Sequence, residues 1–207
     1  MKKLIIPILW EWLFIISCFV LPEKHYPYTN FLFYLGIIIY FILNGEFSFK
    51  ELKYNINNGK KFWIPVFVTI LFLILAFGVS YLPEMFFHNL NEGMINLRVN
   101  TWSGVLLFVV STIIFPPLAE EMFYRKAIIS FKNKKTLYIS TIISLFLFAV
   151  EHSLSLYGIF MVMIWGIPFS ISFIKTKNMY VPMMAHFIVN LIGNGSTAII
   201  MIIHLLK

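Results

Sequence analysis

Charged residues are scarce in this chain of 207 residues, at 12% against about 25% in an ordinary soluble domain. With 60% hydrophobic residues and 23 phenylalanines alongside, the shortage excludes a water-soluble globule, because no interior of this size can hide that much apolar surface. Cysteine is nearly absent. The lone Cys18 excludes an intrachain disulfide and a cysteine-rich metal site. There is no repeat of 20–50 residues, no low-complexity linker and no stretch polar enough for a separate soluble domain. Acidic residues number 9 against 16 Lys and Arg, for a net charge of +7. The basic residues sit in short runs between apolar stretches, such as Lys60-Lys61 and Lys132-Asn133-Lys134-Lys135. That distribution fits anionic lipid headgroups rather than a nucleic acid, so the expected partner is the lipid bilayer.

A helix needs about 20 mostly apolar residues to cross the hydrocarbon core. Candidate spans lie at 4–21, 30–44, 62–82, 102–130, 136–152, 155–174 and 179–204. The expected fold is an all-α, polytopic transmembrane helix bundle of seven spans, or eight if the last segment divides near Gly193-Asn194-Gly195. Lys2-Lys3 before an apolar stretch resembles a signal peptide, but Glu11, two Trp and the lack of a small-x-small site favour a retained first span. Basic residues fall in alternate connections: Lys2 and Lys3; Lys50, Lys53, Lys60 and Lys61; Lys126, Lys132, Lys134 and Lys135; Lys175 and Lys177. The intervening loops hold Lys24 and Arg98 against Glu23, Glu84 and Glu92. Seven spans with a cytoplasmic N-terminus produce this alternation.

An ionisable residue within a span is costly unless paired or hydrated, and so marks a candidate site. Three clusters qualify. In Glu120-Glu121-Met122-Phe123-Tyr124-Arg125, helical spacing lets Glu121 and Arg125 neutralise each other, while Glu120 projects about 100° away, beside Tyr124 and without a local partner. Pro116-Pro117 upstream predicts a helix restart, which would set Glu120 near a helix N-terminus, suited to an ionised general base. The same residues also suit an acidic helix start near the membrane surface, with Arg125 as a snorkelling anchor. The second cluster places Phe148 and His152 on one face, His152 being equally readable as a headgroup-level residue; Glu151 reads as interfacial, without a role. In the third, His186 and Asn190 point the same way from deep in the last segment, toward a site or as a helix–helix hydrogen-bonding pair. Counted from the nearest basic residue, Glu120 lies roughly 18 Å deep, His152 roughly 25 Å and His186 roughly 13 Å, a spread that tilt and kinks can absorb.

Taken in order, Glu120-Glu121-x-x-x-Arg125, Phe148-x-x-x-His152 and His186-x-x-x-Asn190 resemble the signature of the CPBP family, which groups CAAX proteases with bacteriocin-processing and self-immunity proteins and was once termed Abi. The resemblance covers about residues 102–192, which divides the chain into N-terminal helices over 1–101, without family signal, and a catalytic membrane core over 102–207. It implies an all-α bundle and intramembrane peptide-bond hydrolysis. Carried over by position, Glu120 activates the attacking water, His152 helps to hold it, His186 and Asn190 donate to the oxyanion, and Glu121 and Arg125 set the helix geometry, with Phe148 and Tyr124 as neighbours. The family is often described as metalloproteases. Glu120, His152 and His186 form a possible zinc ligand set with one position left for water, although no His-Glu-x-x-His helix is present and Asn190 is a poor zinc ligand. A metal-free glutamate mechanism uses the same residues.

Two other readings compete: a non-catalytic self-immunity or membrane-partner binding protein on the same scaffold, and a small proton-coupled transporter, against which no inverted repeat is visible. For the protease, the expected substrate is a peptide or a membrane protein. A Lys-, Ile- and Asn-rich composition points to an AT-rich genome, and thus to a bacterial plasma membrane.

Overall fold

Inside lipid no water meets the backbone N–H and C=O groups, so each apolar stretch must close its hydrogen bonds internally as a helix. The computed structural model describes residues 2–87, 90–97 and 99–206, and among these there is no strand, only an isolated bridge between Met94 and Ser153. Arg98, and the side chains of Lys2 and Lys3, counted above as loop charges, lie outside the described residues. The protein is an all-α polytopic bundle. Its helices are α1 (Lys2–Val20), α2 (Tyr26–Leu43), a short α3 (Phe49–Ile56), α4 (Lys60–Ser80), α5 (Trp102–Val109), α6 (Phe115–Glu120), α7 (Lys134–His152), α8 (Leu156–Thr176) and α9 (Tyr180–Leu205). Among the described residues, six helical segments are long and apolar enough to cross a membrane, and the apolar part of α1, Leu4–Val20, is shorter. The second span is longer than its apolar run suggests, because Glu23–His25 and the aromatic turn at Tyr26 extend it to Glu23–Leu43. Helix α9 runs unbroken through Gly193 and Gly195, so the last segment does not divide.

The polarity is inverted relative to a soluble protein. Isoleucine, leucine and phenylalanine of α1, α4 and α7 face outward, whereas Glu11, Glu120, Glu121, Arg125, Glu151 and His186 are buried. Helix α8 packs between α4 and α7, and α9 closes the bundle against α4, α5 and α8. Helix starts are set by side chains that accept from the backbone: Thr101 from Gly104, Asn133 from Thr136 and Ser155 from Gly158.

The double proline does not restart the helix as the sequence predicts. Residues Trp102–Ile128 stay helical throughout, but Val110–Ile114 and Glu121–Ile128 widen to the π register on either side of α6. Pro116 has no N–H for the carbonyls one turn back, and two asparagines from other helices replace it. Asn194 Nδ2 donates to the Thr112 carbonyl at 3.0 Å, and Asn30 Nδ2 donates to that of Ser111 at 3.2 Å. Borrowed donors let the chain pass two prolines in mid-bundle without a break. Glu120 therefore lies at the end of α6 in the interior of a span, not at a helix N-terminus.

Candidate active site

Glu120 and Glu121 are consecutive, and both carboxyls are buried. They face different partners. Glu121 Oε2 stands 3.5 Å from Arg125 Nε, the one-turn pairing expected from the spacing. The Arg125 guanidinium is fully buried, lies 4.4 Å from the Phe148 ring centre and 5.3 Å from that of Phe169, and donates through Nη2 to the Gly166 carbonyl at 3.4 Å. Gly166 lets α8 pack closely here, since a Cβ would come within 2.8 Å of Leu145 Cδ2 and 3.1 Å of Phe148 Cδ1.

Glu120 has a partner that the local sequence does not reveal: the Tyr34 hydroxyl on α2 donates to its Oε1 at 2.8 Å. The same carboxyl is approached by two imidazoles, His152 Nε2 at 3.9 Å from Oε1 and His186 Nε2 at 3.8 Å from Oε2. Each ring is anchored at its other nitrogen. His152 Nδ1 lies 2.8 Å from the Phe148 carbonyl, which can only accept, so Nδ1 carries the hydrogen. His186 Nδ1 lies 3.2 Å from Glu121 Oε1 and is likewise the donor to a carboxylate. In the neutral rings this leaves both Nε2 atoms as acceptors turned toward Glu120. Aromatic contacts fix the ring planes: His186 stacks on Phe169 at 4.6 Å and 28°, and His152 packs on Phe148 at 4.6 Å.

The three clusters thus meet, as the depth arithmetic allows. A cavity of about 520 Å³ opens beside them, lined by Tyr34, His152, His186, Asn190 and Glu151 among others. Glu120 itself is buried behind the residues that line it. His152 ends α7, and its carbonyl accepts from Ile95 N–H at 3.0 Å, while Leu154 N–H donates to the Gly93 carbonyl at 3.0 Å. The extended segment 93–97 is thereby laid along the cavity, against the end of α7.

Glu151 differs from the sequence expectation. It is 3% exposed rather than interfacial, and its Oε2 lies 2.5 Å from the Tyr124 hydroxyl, which is itself 3.0 Å from Glu11 Oε1. Sequence reading missed Glu11, Tyr34 and Phe169. The one available signal for Glu11 was a carboxyl inside an apolar stretch, which served above only to argue against a signal peptide.

Zinc fits poorly. Two ligands on a tetrahedral zinc, with bonds of about 2.0–2.1 Å, lie about 3.3 Å apart. The Nε2–Oε separations here are 3.8 and 3.9 Å, and among the described residues no three His, Cys, Asp or Glu are grouped so as to hold a metal ion.

Residues 100–192 match the family described as Rce1-like, type II CAAX prenyl endopeptidase Rce1-like. No curated protein and no solved structure matches the chain.

Proposed function

We propose, from the match of residues 100–192 to the Rce1-like family of type II CAAX prenyl endopeptidases, that this chain hydrolyses peptide bonds inside the bilayer by a glutamate-activated water. One observation carries the reading: two histidines from different helices, each anchored at Nδ1, turn Nε2 toward the single carboxyl of Glu120 beside a cavity. A water among these three groups donates one hydrogen to the Glu120 carboxylate and the other to an Nε2 acceptor. As its oxygen bonds to the scissile carbonyl carbon, Glu120 takes its proton. Tyr34 donates to the other oxygen of that carboxyl and keeps it from turning away. The oxyanion forms on the side of Asn190. The Asn190 amide is a neutral donor there, while His186, with its hydrogen on Nδ1, keeps Nε2 as an acceptor on the water's side. Glu121 and Arg125 act at one remove, holding His186 by Nδ1 and the π-helical turn in place.

The substrate is a peptide or a segment of a membrane protein that enters the cavity between helices. Alternate basic loops support a cytoplasmic N-terminus, and the composition supports a bacterial plasma membrane. A non-catalytic binding role on this scaffold would not need the carboxylate charge of Glu120. The test is to purify wild type and Glu120→Gln in detergent and assay both on fluorogenic peptide libraries. Loss of all cleavage in a variant that unfolds like wild type is the expected result. Equal cleavage by the two proteins would overturn the assignment of the base, and a variant that still protects cells from a bacteriocin as wild type does would favour the binding role.

A further inference from the structure

The buried interior holds more carboxyls than cations. Glu11, Glu120, Glu121 and Glu151 are all buried, with Arg125 the one buried guanidinium or ammonium among the described residues. An unpaired charge in such a place costs several kcal/mol. Arg125 is committed to Glu121. The remaining three carboxyls are connected by two phenols. Tyr34 donates to Glu120 and lines the same cavity as Glu151, and Tyr124 stands between Glu151 and Glu11. The series runs Glu120, Tyr34, Glu151, Tyr124, Glu11, and draws on helices α1, α2, α6 and α7 as well as the π-helical turn after α6.

The Tyr124 hydroxyl has one hydrogen and two carboxyl neighbours, at 2.5 and 3.0 Å. It can donate to one of them only. The other contact is a hydrogen bond only if that carboxyl brings a proton of its own, since a bare carboxylate accepts and never donates. The shorter contact, to Glu151, has the length of a phenol donating to a carboxylate, which leaves Glu11, at the longer distance, as the carboxyl that must bring the proton. Glu11, Tyr124 and Glu151 thus share one proton beyond the phenol's own, stored at rest on Glu11. Glu151 is the member that lines the cavity, and its Oε1 is buried without a hydrogen-bond partner.

Building on the endopeptidase reading, we propose that Glu151 is a second reacting carboxyl of the site, which delivers this stored proton to the leaving nitrogen. The step balances without a co-reactant. Glu120 accepts a proton from water as the C–O bond forms and the carbonyl pair moves to oxygen. When that pair returns, Glu11 passes its proton to Tyr124, Tyr124 hands its own to Glu151, and the C–N bond breaks as its electrons take that proton from Glu151. The proton held by Glu120 then passes to Tyr34, which hands its own to Glu151, and the store refills through Tyr124 to Glu11. Glu120 and Glu151 therefore divide the work of base and acid, which a single carboxyl would otherwise perform in succession.

Leaving-group chemistry separates the two roles. A peptide cleaved by wild type is compared with an activated aryl ester of the same acyl part, whose phenolate departs unprotonated. Glu151→Gln keeps an acceptor for Tyr124, and should lose about 10²–10⁴-fold on the peptide while staying within a few fold of wild type on the ester. Glu120→Gln should lose both. If Glu120→Gln keeps both, the assignment of Glu120 as the base, on which this proposal rests, fails. If Glu120→Gln loses both but Glu151→Gln cleaves the peptide normally, or loses both equally, the proton-donor role is overturned. Infrared spectroscopy at neutral pH decides independently of any substrate. Wild type should show the C=O stretch of a protonated carboxyl that disappears in Glu11→Gln, and its persistence in that variant, or its absence from wild type, would overturn the shared proton.

Discussion

Replacing Arg125 by Met should destabilise the protein more than replacing Arg125 and Glu121 together. Met keeps the apolar volume between Phe148 and Phe169 but removes the charge. Glu121 would then face only the His186 Nδ1 donor, with its Oε2, now 3.5 Å from Arg125 Nε, left bare in the interior. Removing one partner of a buried pair costs about 3–5 kcal/mol, because the other stays behind uncompensated. Loss of the guanidinium over two aromatic faces, 4.4 and 5.3 Å away, contributes up to about 2 kcal/mol of that. Glu121→Gln should also be costly, since the guanidinium would keep only the Gly166 carbonyl and the rings. In Arg125→Met/Glu121→Gln no buried charge is stranded, and the new side-chain amide still offers its oxygen to the His186 donor. Neutral replacement of a buried pair is often close to cost-free. The double variant should therefore recover at least about 2 kcal/mol relative to Arg125→Met alone, a coupling within the usual range for contacting residues. Heat or SDS unfolding in detergent micelles, followed by intrinsic fluorescence, measures all four proteins. Additive losses, with the double variant the least stable, would refute the claim that the two charges exist in the interior for each other.

Asn194→Leu should cost about 1–3 kcal/mol in the same unfolding assay, because the Thr112 carbonyl loses the donor that replaces the missing proline N–H, whereas Ser196→Leu, on an exposed part of α9, should change little. Gly158→Ala would drive a Cβ into the Glu92 carbonyl and the Ser153 hydroxyl, pushing the 92–95 segment off the end of α7; activity should fall severalfold, and a variant as active as wild type would show that this segment does not fix His152. Prolonged dialysis against a strong chelator should leave peptide cleavage unchanged, since the histidine–glutamate spacing does not suit a shared metal; loss of cleavage restored by added zinc would contradict that geometry.

What could be read in advance follows from the range over which each constraint acts. Membrane class and helix positions are properties of local apolar runs, and they hold. The Glu121–Arg125 pair and the anchoring of His152 to the Phe148 carbonyl lie within one turn, so spacing alone predicts who can meet. Glu120 looked partnerless because its partner, Tyr34, is 86 positions away on another helix. Glu11 and Tyr124 are 113 apart, and nothing in either neighbourhood announces the other. Glu151 looked interfacial because it adjoins His152 at a span end; its buried partner, Tyr124, is 27 positions away on another segment, outside any window around position 151. The double proline misled for a different reason. A missing N–H ends a helix when nothing replaces it, and here two asparagines from α2 and α9 do.

The same long-range pairs change how the first hundred residues bear on the chemistry. The family match begins at residue 100, yet Tyr34 and Glu11 lie before it, and each is hydrogen-bonded to a residue within it. Lipid cannot solvate a buried carboxyl, so every such group must find its proton or donor within the bundle. Arg125 serves one of the four. The other three depend on two phenols, one supplied by α2 and the other by the π-helical turn that also holds Arg125. Were α1 and α2 only packing surface, Glu11→Leu would relieve a buried polar group and stabilise the protein. If Glu11 holds the proton that Tyr124 and Glu151 share, the same change strands Glu151 with one donor and no store, and should lower turnover while leaving peptide binding intact. A fall in kcat at unchanged KM supports the second account, and a gain in stability with full turnover supports the first.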